Sequence, residues 1–204
     1  MGEVREIETP RGVARVHLDD GARGLLVLGH GAGGGPDAPD LLAARDAALA
    51  AGLSVARVEQ PYRVAGKRVA EATQHLDTAM LAIVAQLPFE GPLVLGGRSS
   101  GARVACRTAT PLGASAVLAL AFPLVPPGRT VSRADELAMP RVPRLVVQGS
   151  RDAFGMPSRK KGIKVHVVEG ADHSFAVRKQ DGRARKDVLT EVRETVREWL
   201  QTVT

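Results

Sequence analysis

The chain has 204 residues, 44% hydrophobic and 25% charged, proportions that suit one globular domain with a sizeable core. Its net charge of +6 raises the question of nucleic acid, but the arginines are scattered and the densest basic runs, Arg159-Lys160-Lys161 and Arg183-Ala184-Arg185-Lys186, are short. Aromatic residues make up only 3%, too few for a base-stacking platform, so specific nucleic-acid binding is not expected.

No apolar run approaches the ~18 residues of a membrane span. The opening Met1-Gly2-Glu3-Val4-Arg5-Glu6 carries charges where a secretory leader has an apolar core. A cytoplasmic protein without a membrane anchor is the expectation. The single cysteine, Cys106, excludes an intrachain disulfide and reads as a small buried apolar residue.

In chain order, residues 3–8 and 13–18 read as a hairpin around Thr9-Pro10-Arg11-Gly12. A continuous apolar strand over 24–29 runs into the glycine-rich His30-Gly31-Ala32-Gly33-Gly34-Gly35. A helix over 39–51, carrying Leu41, Leu42, Arg45, Ala48 and Leu49 at helical spacing, stops at Gly52. A strand over 53–58 and a loop over 60–67 precede a helix over 69–87, whose apolar stripe is Ala72, Leu76, Ala79, Met80, Ile83 and Leu87. The apolar run from Pro92 to Gly96 is a strand, and a helix follows to about residue 108. A strand over 114–121 leads into a proline-rich connector, 122–143, with a short helix near 132–137. Strands over 144–148 and 164–168 and a helix over 183–202 complete the chain, the last buried through Val188, Leu189, Val192, Val196, Trp199, Leu200 and Val203. Apolar strands alternating with amphipathic helices predict an α/β fold: a mainly parallel eight-stranded sheet, its first pair antiparallel, in one domain spanning 1–204.

Between the fifth strand and the helix after it lies Gly97-Arg98-Ser99-Ser100-Gly101. A Gly-x-Ser-x-Gly on a strand–turn–helix lifts the serine hydroxyl clear of the sheet edge on a strained bend, with glycines where a β-carbon would collide. A serine needs a base, and the base needs an orienting acid. In an open α/β sheet both belong beyond the carboxyl ends of later strands, in the order Ser, Asp/Glu, His. Asp152, just past the strand ending at Gln148-Gly149, is the carboxylate so placed, and His173, just past the last strand, is the histidine. Asp172 is the rival acid, disfavoured because adjacent side chains point apart. The small residues after His30 let backbone N–H groups approach an oxyanion, so the amides of Ala32 and Ser100 are the expected donors. His30 itself reads as a brace for that loop, His17 and His166 as strand residues, and His75 as solvated. Neither metal-ligand spacing nor a nucleotide-binding glycine pattern is present, so no metal and no cofactor are expected. Arg98 is open to two roles, clamping an anionic substrate group or pairing with a carboxylate in the turn. Phe122, Phe154 and Met156 are candidates for apolar pocket walls or for ordinary packing.

Five segments carry a resemblance: Gly29-His30-Gly31-Ala32-Gly33-Gly34, Gly96 through Arg103, Phe122-Pro123-Leu124, Gln148-Gly149-Ser150-Arg151-Asp152 and Ala171-Asp172-His173-Ser174-Phe175. On these the chain resembles the α/β-hydrolases over nearly its full length. Within them it is most similar to the compact dienelactone-hydrolase-like branch, which includes the testis-expressed hydrolase-like proteins and the hydrolase-like third subunit of the nonspecific-lethal acetyltransferase complex. The resemblance implies a serine hydrolase acting on a small ester or thioester through Ser99, Asp152 and His173. It also implies an alternative, a non-catalytic scaffold that binds a protein partner. Dienelactone hydrolase itself uses cysteine where Ser99 stands, so its substrate is not carried over. The connector over 122–143 replaces the large lid of many relatives, which implies an open, shallow site.

Overall fold

In the computed structural model, which describes residues 2–204, an eight-stranded sheet runs in the order β1-β2-β4-β3-β5-β6-β7-β8. The strands are β1 (Glu3–Thr9), β2 (Gly12–Asp19), β3 (Leu25–Gly29), β4 (Ser54–Glu59), β5 (Leu93–Arg98), β6 (Ala116–Leu120), β7 (Arg144–Gly149) and β8 (Ile163–Val168). β1 and β2 form the expected hairpin, and β2 also runs antiparallel to β4; from β4 to β8 every neighbour is parallel. The parallel strands therefore all end at one rim. β3, β6 and β7 are buried along their whole length, as the unbroken apolar runs of β3 and β6 require of strands covered on both faces; β7 buries Arg144 and Gln148 as well.

Helices α1 (Pro39–Ala50) and α6 (Arg185–Val203) pack together over one face, on Leu26, Leu28, Leu118, Leu120, Leu145 and Val147. Helices α3 (Thr73–Val84) and α4 (Ser100–Thr108) cover the other, on Val27, Leu95, Val117, Ala119 and Val146. Short helices α2 (Pro61–Val64) and α5 (Ala134–Ala138) fill the connections. No described helix is long and apolar enough to cross a membrane.

Three sequence expectations shift. The inner face of α1 keeps Leu41 and Ala48 of the expected set and adds Asp40, Ala43, Ala44 and Ala47, while Leu42, Arg45 and Leu49 are only partly buried; the small side chains suit the packing of α6 against it. The helix expected over 69–87 runs only from Thr73 to Val84, after an extended Ala72 (φ −54°, ψ 146°); in the segment before it, Glu71 is tied to Arg11 of the distant hairpin turn. The loop expected over 60–67 contains the turn α2, entered through Pro61, whose missing N–H costs nothing at a helix start.

Helix α4, which begins beside Ser99, is tied to its neighbours by a partly buried ion cluster. Arg103 and Arg107 reach Glu136 on α5 at 2.6 and 2.7 Å, and Arg107 reaches Asp77 on α3 at 2.8 Å. Burial pulls the Glu136 carboxyl upward, but the hydrogen bonds and charges of the two arginines outweigh it and hold the group below the usual carboxylate range. A depressed folded value means stability that is present above the unfolded pKa and lost as the pH falls through the folded one. Glu136→Gln is therefore expected to cost about 2 kcal/mol at pH 7. In thermal melts across pH, its deficit should close as the pH drops below about 4.

Candidate active site

At the carboxyl rim of β5 the chain turns at Ser99 with φ 52° and ψ −111°, a left-handed conformation in a residue that carries a β-carbon. Such a bend costs about 1–3 kcal/mol and persists only where the surroundings enforce it. Here Ser99 N–H donates to the Leu120 carbonyl at 2.9 Å on one side, and α4 begins on the other. The flanking glycines allow the crossing: a β-carbon would stand 2.5 Å from the Gly29 carbonyl oxygen at Gly97 and 2.1 Å from it at Gly101.

Two later loops bring side chains to the same rim. The loop after β8 carries His173, whose Nε2 lies 3.0 Å from Ser99 Oγ. The turn after β7 carries Asp152, whose Oδ2 lies 2.8 Å from His173 Nδ1. With Nδ1–H donating to the carboxylate, Nε2 is left as the acceptor facing the serine hydroxyl. The two turns lock together, since a β-carbon at Gly149 would sit 2.3 Å from the Ala171 carbonyl oxygen, and Arg151 N–H donates to that oxygen at 2.9 Å. The Asp152 side chain is fully buried. Beyond the imidazole it accepts from Gln148 Nε2 at 2.8 Å and from the Phe154 N–H at 2.8 Å, which offsets the cost of burying a carboxylate. Phe154 also lies against the imidazole, ring centres 4.2 Å apart, while Met156 is exposed nearby in the chain.

The glycine loop approaches from the third side. A β-carbon at Gly31 would stand 3.6 Å from Ser99 Cβ, so the loop backbone lies against the serine. His30 braces it as expected: Nδ1 bonds the Gly31 carbonyl at 2.7 Å, and Nε2 accepts the Gln60 N–H at 3.1 Å. Burial lowers the His30 pKa, consistent with a neutral ring that accepts at Nε2. Tyr62 anchors the next residue, its hydroxyl donating to the Ala32 carbonyl at 2.7 Å. Burial pushes the Tyr62 pKa up to about 12, so this tether survives ordinary alkaline conditions. No acceptor among the described residues is paired with the N–H of Ala32 or of Ser100.

Other candidates fall into different places. Asp172 turns back on its own loop, Oδ1 accepting from the Ser174 N–H, the Ser174 hydroxyl and the Ala176 N–H. Burial works against its ionised form, but these bonds and Arg151 hold its pKa below the usual value. Of its two candidate roles Phe122 takes the packing one: its side chain is fully buried in the core on the α3 and α4 side of the sheet, and its carbonyl accepts from Gln148. Arg98 pairs with a carboxylate, Nε lying 2.9 Å from Asp40, but this acid stands in the first turn of α1 and not in the turn at Ser99 where a partner is expected. Cys106 is buried, which pushes its thiol up to about 12 and leaves it unsuited to nucleophilic work. Among the described residues no three His, Cys, Asp or Glu side chains gather as a metal site requires.

Sequence reasoning passed over Gln148, Asp40 and Tyr62. The signal for Gln148 was available: it is the one uncharged polar residue in the otherwise buried, apolar run of β7, a place where an amide must find partners. Gln148→Leu is expected to keep the fold and to lower any Ser99-dependent turnover about tenfold, the value of one hydrogen bond to a charged group. Steady-state kinetics of the purified variant check this.

Comparison with known proteins agrees with this fold. The model of the family described as an alpha/beta hydrolase domain matches residues 22–201. No curated protein matches the chain. Among solved structures it is similar to an alpha-beta serine hydrolase homologue from Coxiella burnetii, at 19% identity and TM-score 0.75 over 97% of each chain. It is similar also to a lidless α/β serine hydrolase from Xanthomonas campestris, at 21% identity and TM-score 0.69, over 97% of this chain and 94% of that one. A dienelactone hydrolase from Anabaena variabilis matches at 16% identity and TM-score 0.72, over 100% of this chain and 98% of that one. At these identities the structural likeness speaks for the fold, and the family match spans most of the sequence: the chain belongs to the α/β-hydrolase family.

Proposed function

We propose that the protein is a serine hydrolase of the compact dienelactone-hydrolase-like branch, cleaving a small ester or thioester through a Ser99-His173-Asp152 triad. The observation that carries this reading is the unbroken chain of 3.0 Å from Ser99 Oγ to His173 Nε2 and 2.8 Å from His173 Nδ1 to Asp152. Ser99 Oγ attacks the acyl carbon as its proton passes to His173 Nε2. The developing oxyanion takes the N–H groups of Ala32 and Ser100, the latter at the positive end of α4. Collapse breaks the bond to the leaving oxygen or sulfur, which receives the proton from Nε2. Water, deprotonated by the same nitrogen, then releases the acid and restores Ser99. Asp152 holds the imidazole in the useful tautomer and stabilises its cation. Loss of either oxyanion donor would cost roughly 3 kcal/mol, more than a hundredfold in rate.

The segments around the site support the choice of a small substrate. The connector after β6 folds down through Val125, whose N–H donates to the Phe154 carbonyl at 2.8 Å. Its cavity of about 650 Å³ is lined by Pro126, Gly128, Arg129, Thr130, Val131 and Arg133, without Ser99 or His173. Phe154, which lies against the His173 ring, is the apolar surface for a short acyl chain, with the exposed Met156 two residues further along the chain. The test is a panel of p-nitrophenyl esters and acyl thioesters graded by chain length. Turnover greatest for short acyl groups and absent in His173→Ala supports the reading; no turnover of any member by the folded wild type overturns it.

A further inference from the structure

Arg98 is the last residue of β5, directly ahead of Ser99. Its guanidinium is partly buried and addresses three segments at once. Nε pairs with the charge of Asp40 in the first turn of α1, 2.9 Å from Oδ2 but outside hydrogen-bond geometry, so that among the described residues this buried oxygen has no hydrogen-bond donor. Nη2 donates to the backbone carbonyl of His173 at 3.0 Å. Nη1 packs against the glycine loop so closely that a β-carbon at Gly31 would stand 2.9 Å from it. Asp40 is itself buried, its side chain 4% exposed.

The loop that carries His173 is otherwise organised from its own side. Asp172 bonds Ser174 and Ala176 within the loop, and Ala171 is locked to the turn after β7. Among the described residues, only two hydrogen bonds cross from this loop to β5 and its turn: the Ser99–His173 contact and the bond from Arg98 to the His173 carbonyl. The first is the reactive contact, which must break and re-form in each cycle. The second is free to persist.

We propose that Arg98, anchored by Asp40, is a positioning residue: it fixes the backbone of His173 against the strand that carries Ser99 and the loop that carries the Ala32 amide. This deepens the hydrolase reading and rests on it. A triad transfers a proton only within hydrogen-bond reach, and a displacement near 1 Å costs about a hundredfold in rate. A guanidinium suits the task because one of its nitrogens can donate to the His173 carbonyl while another stays beside the Asp40 charge. A lysine carries its charge on a single nitrogen and cannot hold both contacts at once.

The buried pair supplies its own control. Removing one partner strands the other charge and destabilises, whereas removing both is close to neutral. The experiment compares wild type, Ser99→Ala, Arg98→Lys, Arg98→Met and the double variant Arg98→Met with Asp40→Asn, reading kcat, KM and thermal midpoint with a short-chain p-nitrophenyl ester. Arg98→Met is expected to lose stability and about a hundredfold in kcat. The double variant should regain the midpoint while kcat stays low and KM stays within about threefold of wild type, the pattern of a lost transition-state geometry. Arg98→Lys should fold and lose about tenfold in kcat, by the same loss of alignment. Recovery of kcat together with stability in the double variant would reduce Arg98 to packing. A raised KM at unchanged kcat would make it a substrate clamp, and wild-type kcat in Arg98→Lys would deny the need for a fork; each overturns the proposal. A wild type without Ser99-dependent turnover removes the hydrolase reading itself, and this role with it.

Discussion

Ser99→Ala is expected to abolish hydrolysis, with kcat reduced at least about ten-thousandfold while the protein stays folded. The two effects separate because of what the substitution removes. Alanine keeps the β-carbon, so the φ of 52° is no worse for it than for serine, and the Ser99 N–H still bonds Leu120. Only the hydroxyl and its bond to His173 are lost, at a half-buried position. The change in stability should lie within about 0.5 kcal/mol, the range of substitutions that disturb neither core nor buried polar groups. Residual turnover above water would come from the oxyanion amides alone. Purified wild type and variant, compared by circular dichroism and by ester hydrolysis, give both readings from one preparation.

Asp152→Asn is expected to lower kcat about a thousandfold to ten-thousandfold. The environment of this residue explains why an isosteric change should be so damaging. The carboxylate faces donors on both oxygens: Gln148 Nε2 and His173 Nδ1 on Oδ2, the Phe154 N–H on Oδ1. A carboxamide has only one oxygen. Turned toward His173, it sets its NH2 against the Phe154 N–H. Turned the other way, its NH2 faces Gln148 and forces His173 Nδ1 to accept, which places the proton on Nε2 and removes the base facing Ser99. In both orientations the negative charge that stabilises the imidazolium is gone. A buried donor left without an acceptor should also cost about 1–3 kcal/mol, which a thermal or denaturant melt would detect.

Much of this architecture is legible in the chain because local and tertiary demands coincide. The apolar run of β6 has no polar face to offer water and had to be central, and Gly97 and Gly101 mark the crossing of β5 and α4 beneath Ser99. Asp152 and His173 could be named because the parallel order puts every strand exit on one rim. Illegible were features decided by partners distant in the chain. The place of Phe122 after β6 leaves pocket wall and core packing equally open, and only the fold puts its side chain in the core. Asp40 reads as an ordinary first-turn acid of α1, and nothing local shows that Arg98, 58 residues later, ends β5 against it. The start of α3 is illegible for the same reason: the helical pattern continues through residues 69–72, and the bond of Glu71 to Arg11 in the distant hairpin turn has no local signal.

The central claim is that Ser99 is a nucleophile activated by His173. The most direct test is labelling of the full chain with a fluorophosphonate probe, followed by peptide mapping of wild type, Ser99→Ala and His173→Ala. The account predicts one adduct, on Ser99, formed with loss of fluoride, absent from Ser99→Ala and strongly slowed in His173→Ala. An unlabelled wild type, or a label that forms at the same rate without the imidazole, would contradict it.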